Sequence, residues 1–403
     1  MRTAALLLAL AAAPARAAET VLSGRLLGGR HLADGRSGRF SGLAAGSAAS
    51  AWPAGERWTL LPAVSGSWSG VEQALDTAGG TTLFSEQMEH RAALKAVYQP
   101  AAARWRLKPS VGWRARLLKE TEDEEWLKGL FDHHTVDVGL EWELEARGGA
   151  GVRAGYAFSR TVFPNYASLE STAPTDPRGR PLARELAGSR VLDSDAHLLT
   201  AAAWTALPWG LRAEGRLGFE SRDYFDQKLV RSDGQLSSQT RGDLTTSFEA
   251  ALSGEREVRL DKTLTWGLEG SLTGTLSDQA SYDPARGRYE PRHYNSTAWT
   301  LGPTAGLRWG DARAPAAASA ALRLGGRSWP HRSARDGSGA YSGEGLREDT
   351  VSASADARWP LGPGLALTAR LERLWASSND RFEAAHRFNH EATSVLFGVT
   401  FER

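Results

Sequence analysis

The sequence predicts an all-β fold, a transmembrane antiparallel up-and-down β-barrel of about sixteen strands. Three observations carry this: a hydrophobic period of two repeated along the chain, connections that alternate between short and long, and tryptophans gathered near the strand ends. The period is clearest in HTVDVGLEWELEA, residues 134–146, where Val136, Val138, Leu140, Trp142 and Leu144 alternate with Asp137, Glu141, Glu143 and Glu145. On a helix these acids would spread round the circumference. On a strand they share one face and the apolar groups take the other. A soluble sandwich also contains such strands, so the rest of the chain must decide.

The pattern recurs to the C-terminus. RWRLKPSVGWRARL (104–117) sets Trp105, Leu107, Val111 and Trp113 against Arg106, Lys108, Arg114 and Arg116. LRAEGRLGFESR (211–222) sets Leu211, Ala213, Leu217 and Phe219 against Arg212, Glu214 and Arg216. LTTSFEAALSGE (244–255), TLTWGLEGSLTGTL (263–276), TVSASADARW (350–359) and TSVLFGVTF (393–401) repeat the split. Short connections fall at 53–56, 99–103, 147–150, 207–210, 256–261, 311–315 and 360–364. Long polar ones fall at 67–88, 120–133, 164–194, 226–242, 277–293, 328–348 and 378–390. Such alternation is the layout of short periplasmic turns and long extracellular loops. Trp52, Trp58, Trp105, Trp204, Trp209, Trp309 and Trp359 lie near short turns, and Trp68, Trp113, Trp299 and Trp375 nearer long loops, as two interfacial girdles would require. From Trp58 onward the turns mark about fourteen strands, the alternative count; TVLSGRLLG (20–28) and RFSGLAAGSAASAW (39–52) add a further hairpin, which brings the total to about sixteen.

Residues 1–17, MRTAALLLALAAAPARA, read as a cleaved secretory signal, with Arg2 before an apolar run and Ala15-Arg16-Ala17 as the cleavage site. Residues 18–403 are then one barrel domain. The absence of cysteine removes a lipid anchor at the cleavage site, disulfides and thiolate-bound metal. With 48 basic and 47 acidic residues, a net charge of +1 gives no electrostatic case for nucleic acid. The mean hydropathy of −0.38 suits a barrel, which shows lipid only every second strand residue.

The signal, the alternating strands, the girdles and the turn asymmetry together resemble the outer-membrane β-barrel proteins of Gram-negative bacteria, porins among them, over essentially the whole mature chain. ESRDYFD (220–226) and SSNDRFEAAHRFNHEATSVLFGVTF (377–401) resemble the barrel portions of TPR-linked porins and surface-lipoprotein assembly modifiers. The resemblance implies an outer-membrane location and a C-terminal strand that addresses the insertion machinery. Here Phe401 is followed by Glu402 and Arg403, so the aromatic terminus of the pattern is displaced by two. The periplasmic repeat domain of those families has no counterpart in the sequence.

With the apolar residues facing lipid, the charged columns face the lumen, because Arg or Lys at mid-depth on the lipid face costs ~2–4 kcal/mol. The expected pore-lining set is Arg106, Lys108, Arg114, Arg116, Asp137, Glu141, Glu143, Glu145, Arg153, Arg212, Glu214, Arg216, Glu249, Glu269, Arg308, Arg323, Asp356, Arg358, Arg370 and Glu372. Adjacent columns of opposite sign either set a field across the pore or merely neutralise one another. The expected function is passive diffusion of small polar or charged solutes, with outer-membrane lipids as surroundings. An export or assembly channel for a polysaccharide or a surface lipoprotein is the alternative, and a hydrolase at the outer rim a third reading. FDHH (131–134) offers Asp132, His133 and His134 for the last, but no motif sets a nucleophile beside them, and neither metal nor cofactor is expected. The connection 164–194 is expected either to fold inward as a constriction or to cap the mouth.

Overall fold

The computed structural model describes residues 19–33, 36–73, 83–121, 123–168, 182–231, 233–259, 261–283, 286–311, 314–382 and 389–403, with single positions at 170, 173, 177 and 179. The signal segment lies outside the described residues. The strands are β1 (Glu19–Ala33), β2 (Arg36–Pro53), β3 (Trp58–Gln73), β4 (Leu83–Tyr98), β5 (Trp105–Lys119), β6 (His133–Glu145), β7 (Gly151–Val162), β8 (Ser194–Leu207) and β9 (Leu211–Val230). There follow β10 (Leu236–Arg259), β11 (Lys262–Ser277), the short β12 (Ser281–Asp283) and β13 (Arg288–Glu290), then β14 (Ser296–Trp309), β15 (Ala316–Arg335), β16 (Tyr341–Gly362), β17 (Leu365–Ser378) and β18 (His390–Glu402).

Sixteen of these strands form one closed antiparallel barrel, from which the β12–β13 hairpin stands aside. Each barrel strand pairs with its sequence neighbours, β11 pairs with β14 across the hairpin, and β18 returns to β1. Mutual hydrogen bonds between the backbones of Leu22 and Arg403, at 2.8 and 2.9 Å, finish the seam. The further hairpin read at the N-terminal end is therefore real, as β1 and β2, and completes the sixteen.

Register gives each face its chemistry. On β5 and β6, Trp105, Leu107, Val111 and Trp113 stand across from Leu144, Trp142, Val138 and Val136. Val138 is 53 % exposed and Leu217 57 %, so the barrel turns most of its large apolar groups outward. Trp58, Trp105, Trp142, Trp266, Trp309 and Trp359 sit on this outer face near the short turns. Toward the long-connection end the outer face becomes ionic, with Arg160 paired to Asp195 at 2.7 Å and Arg373 to Glu391 at 2.8 Å. Charge is tolerated there because lipid gives way to headgroups and water.

Two expectations need correction. Trp204 belongs to the inner face, opposite Gly151 and Glu214, with the Arg153 guanidinium 5.3 Å over its ring. Gly151 makes the room: a Cβ there would come within 2.3 Å of the indole. Several connections expected to be long loops are largely strand, since β3 and β4 reach Gln73 and Leu83, β9 and β10 reach Val230 and Leu236, and β15 and β16 reach Arg335 and Tyr341. Beyond the membrane both faces of a hairpin meet water. No alternation is then demanded, and the period that reveals a strand disappears.

The β1–β18 seam depends on glycine. A Cβ at Gly398 would lie 1.8 Å from the Leu26 carbonyl oxygen, and one at Gly29 1.9 Å from that of Val395, both against backbone that cannot yield. Gly398→Ala should therefore prevent closure, whereas Gly215→Ala, whose Cβ would meet nothing within 4 Å, should not. The check is refolding into detergent followed by unheated gel electrophoresis: the fast-migrating compact band should vanish in the first variant and persist in the second.

Candidate functional site

The antiparallel register carries every expected pore-lining residue to the face opposite the apolar belt. Arg106 and Lys108 stand across from Glu143 and Glu141, Glu143 across from Arg153, Arg216 across from Glu249, and Asp356 across from Arg370. Strand alternation places Arg114, Arg116, Asp137, Glu145, Arg212, Glu214, Glu269, Arg308, Arg323, Arg358 and Glu372 on the same inner face.

Side-chain contacts divide this set in two. Glu143, only 4 % exposed, accepts from Lys108 Nζ at 2.7 Å, Arg153 Nη2 at 2.9 Å and Arg106 Nη1 at 3.3 Å. Glu141 pairs with Lys108 at 3.1 Å, and Glu145 with Arg106 at 3.0 Å. Three cations and three carboxylates on β5, β6 and β7 thus neutralise one another along the wall. Arg212 pairs with Glu214 at 3.5 Å, Arg370 with Glu372 at 3.1 Å, Arg308 with Glu255 at 3.0 Å and Arg358 with Glu402 at 3.0 Å. Asp356 is reached by Arg25 of β1 at 3.4 Å.

The remainder have no ion-pair partner among the described residues: Arg114, Arg116, Asp137, Arg216, Glu249, Glu269 and Arg323. Arg116 donates only to the Gln87 side chain, at 2.7 Å. Arg216, Glu249, Glu269 and Arg323, with Glu214, line one recess of about 390 Å³ in the β9–β15 wall. Sequence reading missed the inner-face Arg91 and Lys95 of β4, because that strand starts inside a segment expected to be loop. Arg91 lies directly across from Arg114. An alternation of charge through SEQMEHRAALK was the available signal.

A closed barrel with an apolar exterior and charged interior has one stable setting. This chain is a transmembrane β-barrel. No protein-family model matches its sequence, and no curated protein does. Among solved structures it is similar in outline to the outer membrane protein OpdK from Pseudomonas aeruginosa, at 10 % identity and TM-score 0.44, covering 96 % of this chain and 98 % of that one. It is likewise similar to OccD3 (OpdP) of the same organism, at 9 % and 0.45 over 96 % and 91 %, and to a bacterial polysaccharide outer membrane secretin, at 8 % and 0.43 over 95 % and 97 %. The assignment rests on the closed strand order and the two faces of the barrel, not on these likenesses.

At the long-connection end of the barrel, separate segments pack into one body. Glu185 Oε1 accepts from Ser281 Oγ at 2.6 Å and from the Tyr282 amide at 3.0 Å, and the Tyr289 hydroxyl donates to the Leu182 carbonyl at 2.7 Å. Gln227 donates to the Glu185 carbonyl and Gln279 to that of Lys228, each at 3.0 Å. Val230, Ala280 and Tyr289 form a small buried cluster beneath. Residues 182–193 accordingly dock on the β12–β13 hairpin and the end of β9 at the mouth, beyond the point where Asp223 and Gly242 end the regular β9–β10 ladder. FDHH has a structural explanation. Asp132 accepts from the backbone amides of Leu118 and Gly129, at 2.8 and 3.1 Å, and His133 bonds the Phe131 carbonyl at 3.1 Å.

Burial, then the neighbouring Arg332, lowers the pKa of His293 in this mouth to about 4. Its folded-state value lies below the ordinary 6.5, so the packed mouth is fully stable above about 6.5 and loses stability as pH falls toward 4. Hydrogen exchange should show residues 278–295 opening faster at pH 5 than at pH 7, with the wall strands unaltered. In His293→Gln the difference should disappear.

Proposed function

We propose that this barrel is a passive outer-membrane pore for small polar or charged solutes, and that the inner-wall charges without partners bias what passes. The recess lined by Arg216, Glu249, Glu269 and Arg323 is the observation that carries the reading. A wall serving only as wet packing would pair its charges as the Glu143 group does. Sixteen strands enclose a lumen wider than side chains of this size fill. No chemical step is needed.

The unpaired groups fall in two places on the wall. Arg91, Lys95, Arg114 and Arg116 belong to β4 and β5, with Asp137 on neighbouring β6, whereas Glu249 and Glu269 of β10 and β11, six places further round the sixteen-strand order, share their recess with Arg216 and Arg323. A solute between these walls meets a mainly basic surface on one side and a recess of both signs on the other. In water one charge acts on another at 10 Å with about 0.4 kcal/mol, so each unpaired group is worth a modest bias and several together a useful one. On the outer face, Phe397, Val399 and Phe401 make β18 the apolar C-terminal strand that the insertion machinery would engage.

Arg114→Ala with Arg116→Ala should shift the reversal potential under a salt gradient toward cation preference, by roughly two- to four-fold in permeability ratio. Glu249→Gln with Glu269→Gln should shift it the other way. Planar-bilayer recordings of the refolded protein decide this: unchanged reversal potentials in both double variants would end the claim that these groups govern passage. Trp142→Ala, on the outer face, should lower folding yield and leave selectivity as it was.

A further inference from the structure

At the mouth, the inner faces of β15 and β16 and the β12–β13 hairpin enclose a cavity of about 270 Å³. Most of its charges are paired. Arg286 is held by Glu290 at 2.8 Å and approaches Asp283 at 3.8 Å, and Arg335 is held by Asp380 at 3.3 Å. Asp283 also accepts from the Tyr341 hydroxyl, and Glu290 from Arg288 at 2.9 Å. Arg332 and Glu348 are left over.

Arg332 donates from Nε to the His293 carbonyl at 3.0 Å, and no described carboxylate is in ion-pair contact with it. Its guanidinium is held between the rings of Trp329 and Tyr294, at 5.2 and 5.8 Å. Arg327 also lies 4.7 Å from the Trp329 ring and Arg241 4.3 Å from that of Tyr294. The His293 carbonyl and the two neighbouring rings restrict the Arg332 side chain before any solute arrives. Glu348 stands on the adjacent strand, directly across from Arg327, and makes no hydrogen bond or ion pair with a described residue.

Arg332 and Glu348 face one cavity without ion-pair contact, so each keeps hydrogen-bonding capacity for a solute. A simple anion would satisfy Arg332 and be repelled by Glu348, and a simple cation would fare the reverse. A ligand with both signs engages both groups at once. We propose that this cavity binds a small zwitterion of the amino-acid class, its carboxylate on Arg332 and its ammonium on Glu348. The volume lies at the small end of ligand pockets, which suits a monomeric solute and excludes a polymer chain. The proposal deepens the pore reading, on which it rests only in taking the bound solute to be one in transit.

The test reads binding without conduction. Saturation-transfer NMR on the folded full-length barrel in detergent would compare L-alanine, propionate and isopropylamine at equal concentration. Transfer to L-alanine should exceed that to either single-charge analogue several-fold, and should fall at least three-fold in R332Q and in E348Q, each confirmed as folded by its compact gel band. Propionate saturated as strongly as L-alanine, or L-alanine transfer unchanged in E348Q, would overturn the proposal. Conductance of the same preparation separates the two readings: a silent barrel that still binds L-alanine defeats the pore and leaves the site standing, and a conducting barrel that binds none does the opposite.

Discussion

The structure depends on one constraint: in a medium without water, every backbone N–H and C=O of the wall must find its partner within the wall. A row of strands satisfies this only by returning to its start, so the pairing of β18 with β1 is the contact on which the other strand pairs depend. The seam is held by the terminal backbone bonds of Leu22 and Arg403 and permitted by the bare backbone at Gly29 and Gly398. Once the ring is closed, alternation along each strand has only two destinations. At membrane depth most leucine and tryptophan go to lipid, and the arginine and glutamate columns go inside.

Inside, the same register rule produces two electrostatic regimes. On β5, β6 and β7 three charged columns stand directly across from one another, and Lys108, Arg106 and Arg153 converge on Glu143. That group costs little to keep and offers little to a passing ion. Around Glu269 the cross-strand partners are Ala251 and Gly302, which bring no counter-charge. Arg216 and Glu249 are in direct register yet out of ion-pair contact. Water rather than a partner then solvates these groups, and such a group acts on solutes at the range set by the local Debye length. Which charges matter is thus fixed by what stands beside them.

Much of this was legible in the sequence where two solvents impose a period of two. DVGLEWELE reads as a strand with an acidic face, and the same alternation gave the side of the expected columns, such as Arg106 and Lys108 on β5, Arg212 and Arg216 on β9, and Arg370 and Glu372 on β17. The signal fades where the solvents become alike. RSDGQLSSQT is polar throughout because both faces of the β9–β10 extension meet water, so nothing in its pattern marks a hairpin. Trp204 shows the other limit: proximity to a turn suggested a girdle, but facing is set by parity against Glu214, and an indole is welcome inside where Arg153 covers it and Gly151 yields space. Pairing was beyond reach for a different reason. Alternation assigns a face to each charge, but whether two charges touch depends on register between strands.

The wall and the mouth are also stabilised differently, and this bears on how such a protein can change its solute. Wall strands are held by backbone ladders that any side chain of suitable polarity can occupy. The mouth is held by particular side chains, Glu185 on Ser281 and Tyr282, Gln279 on Lys228, and the small cluster of Val230, Ala280 and Tyr289. Recognition there can be precise because packing fixes the groups, and it can vary because the barrel does not need them. Substitutions at Arg332 or Glu348 leave every wall hydrogen bond in place. A change of solute is therefore a change of a few mouth residues on an unaltered ring, whereas a change at the seam glycines removes the ring itself.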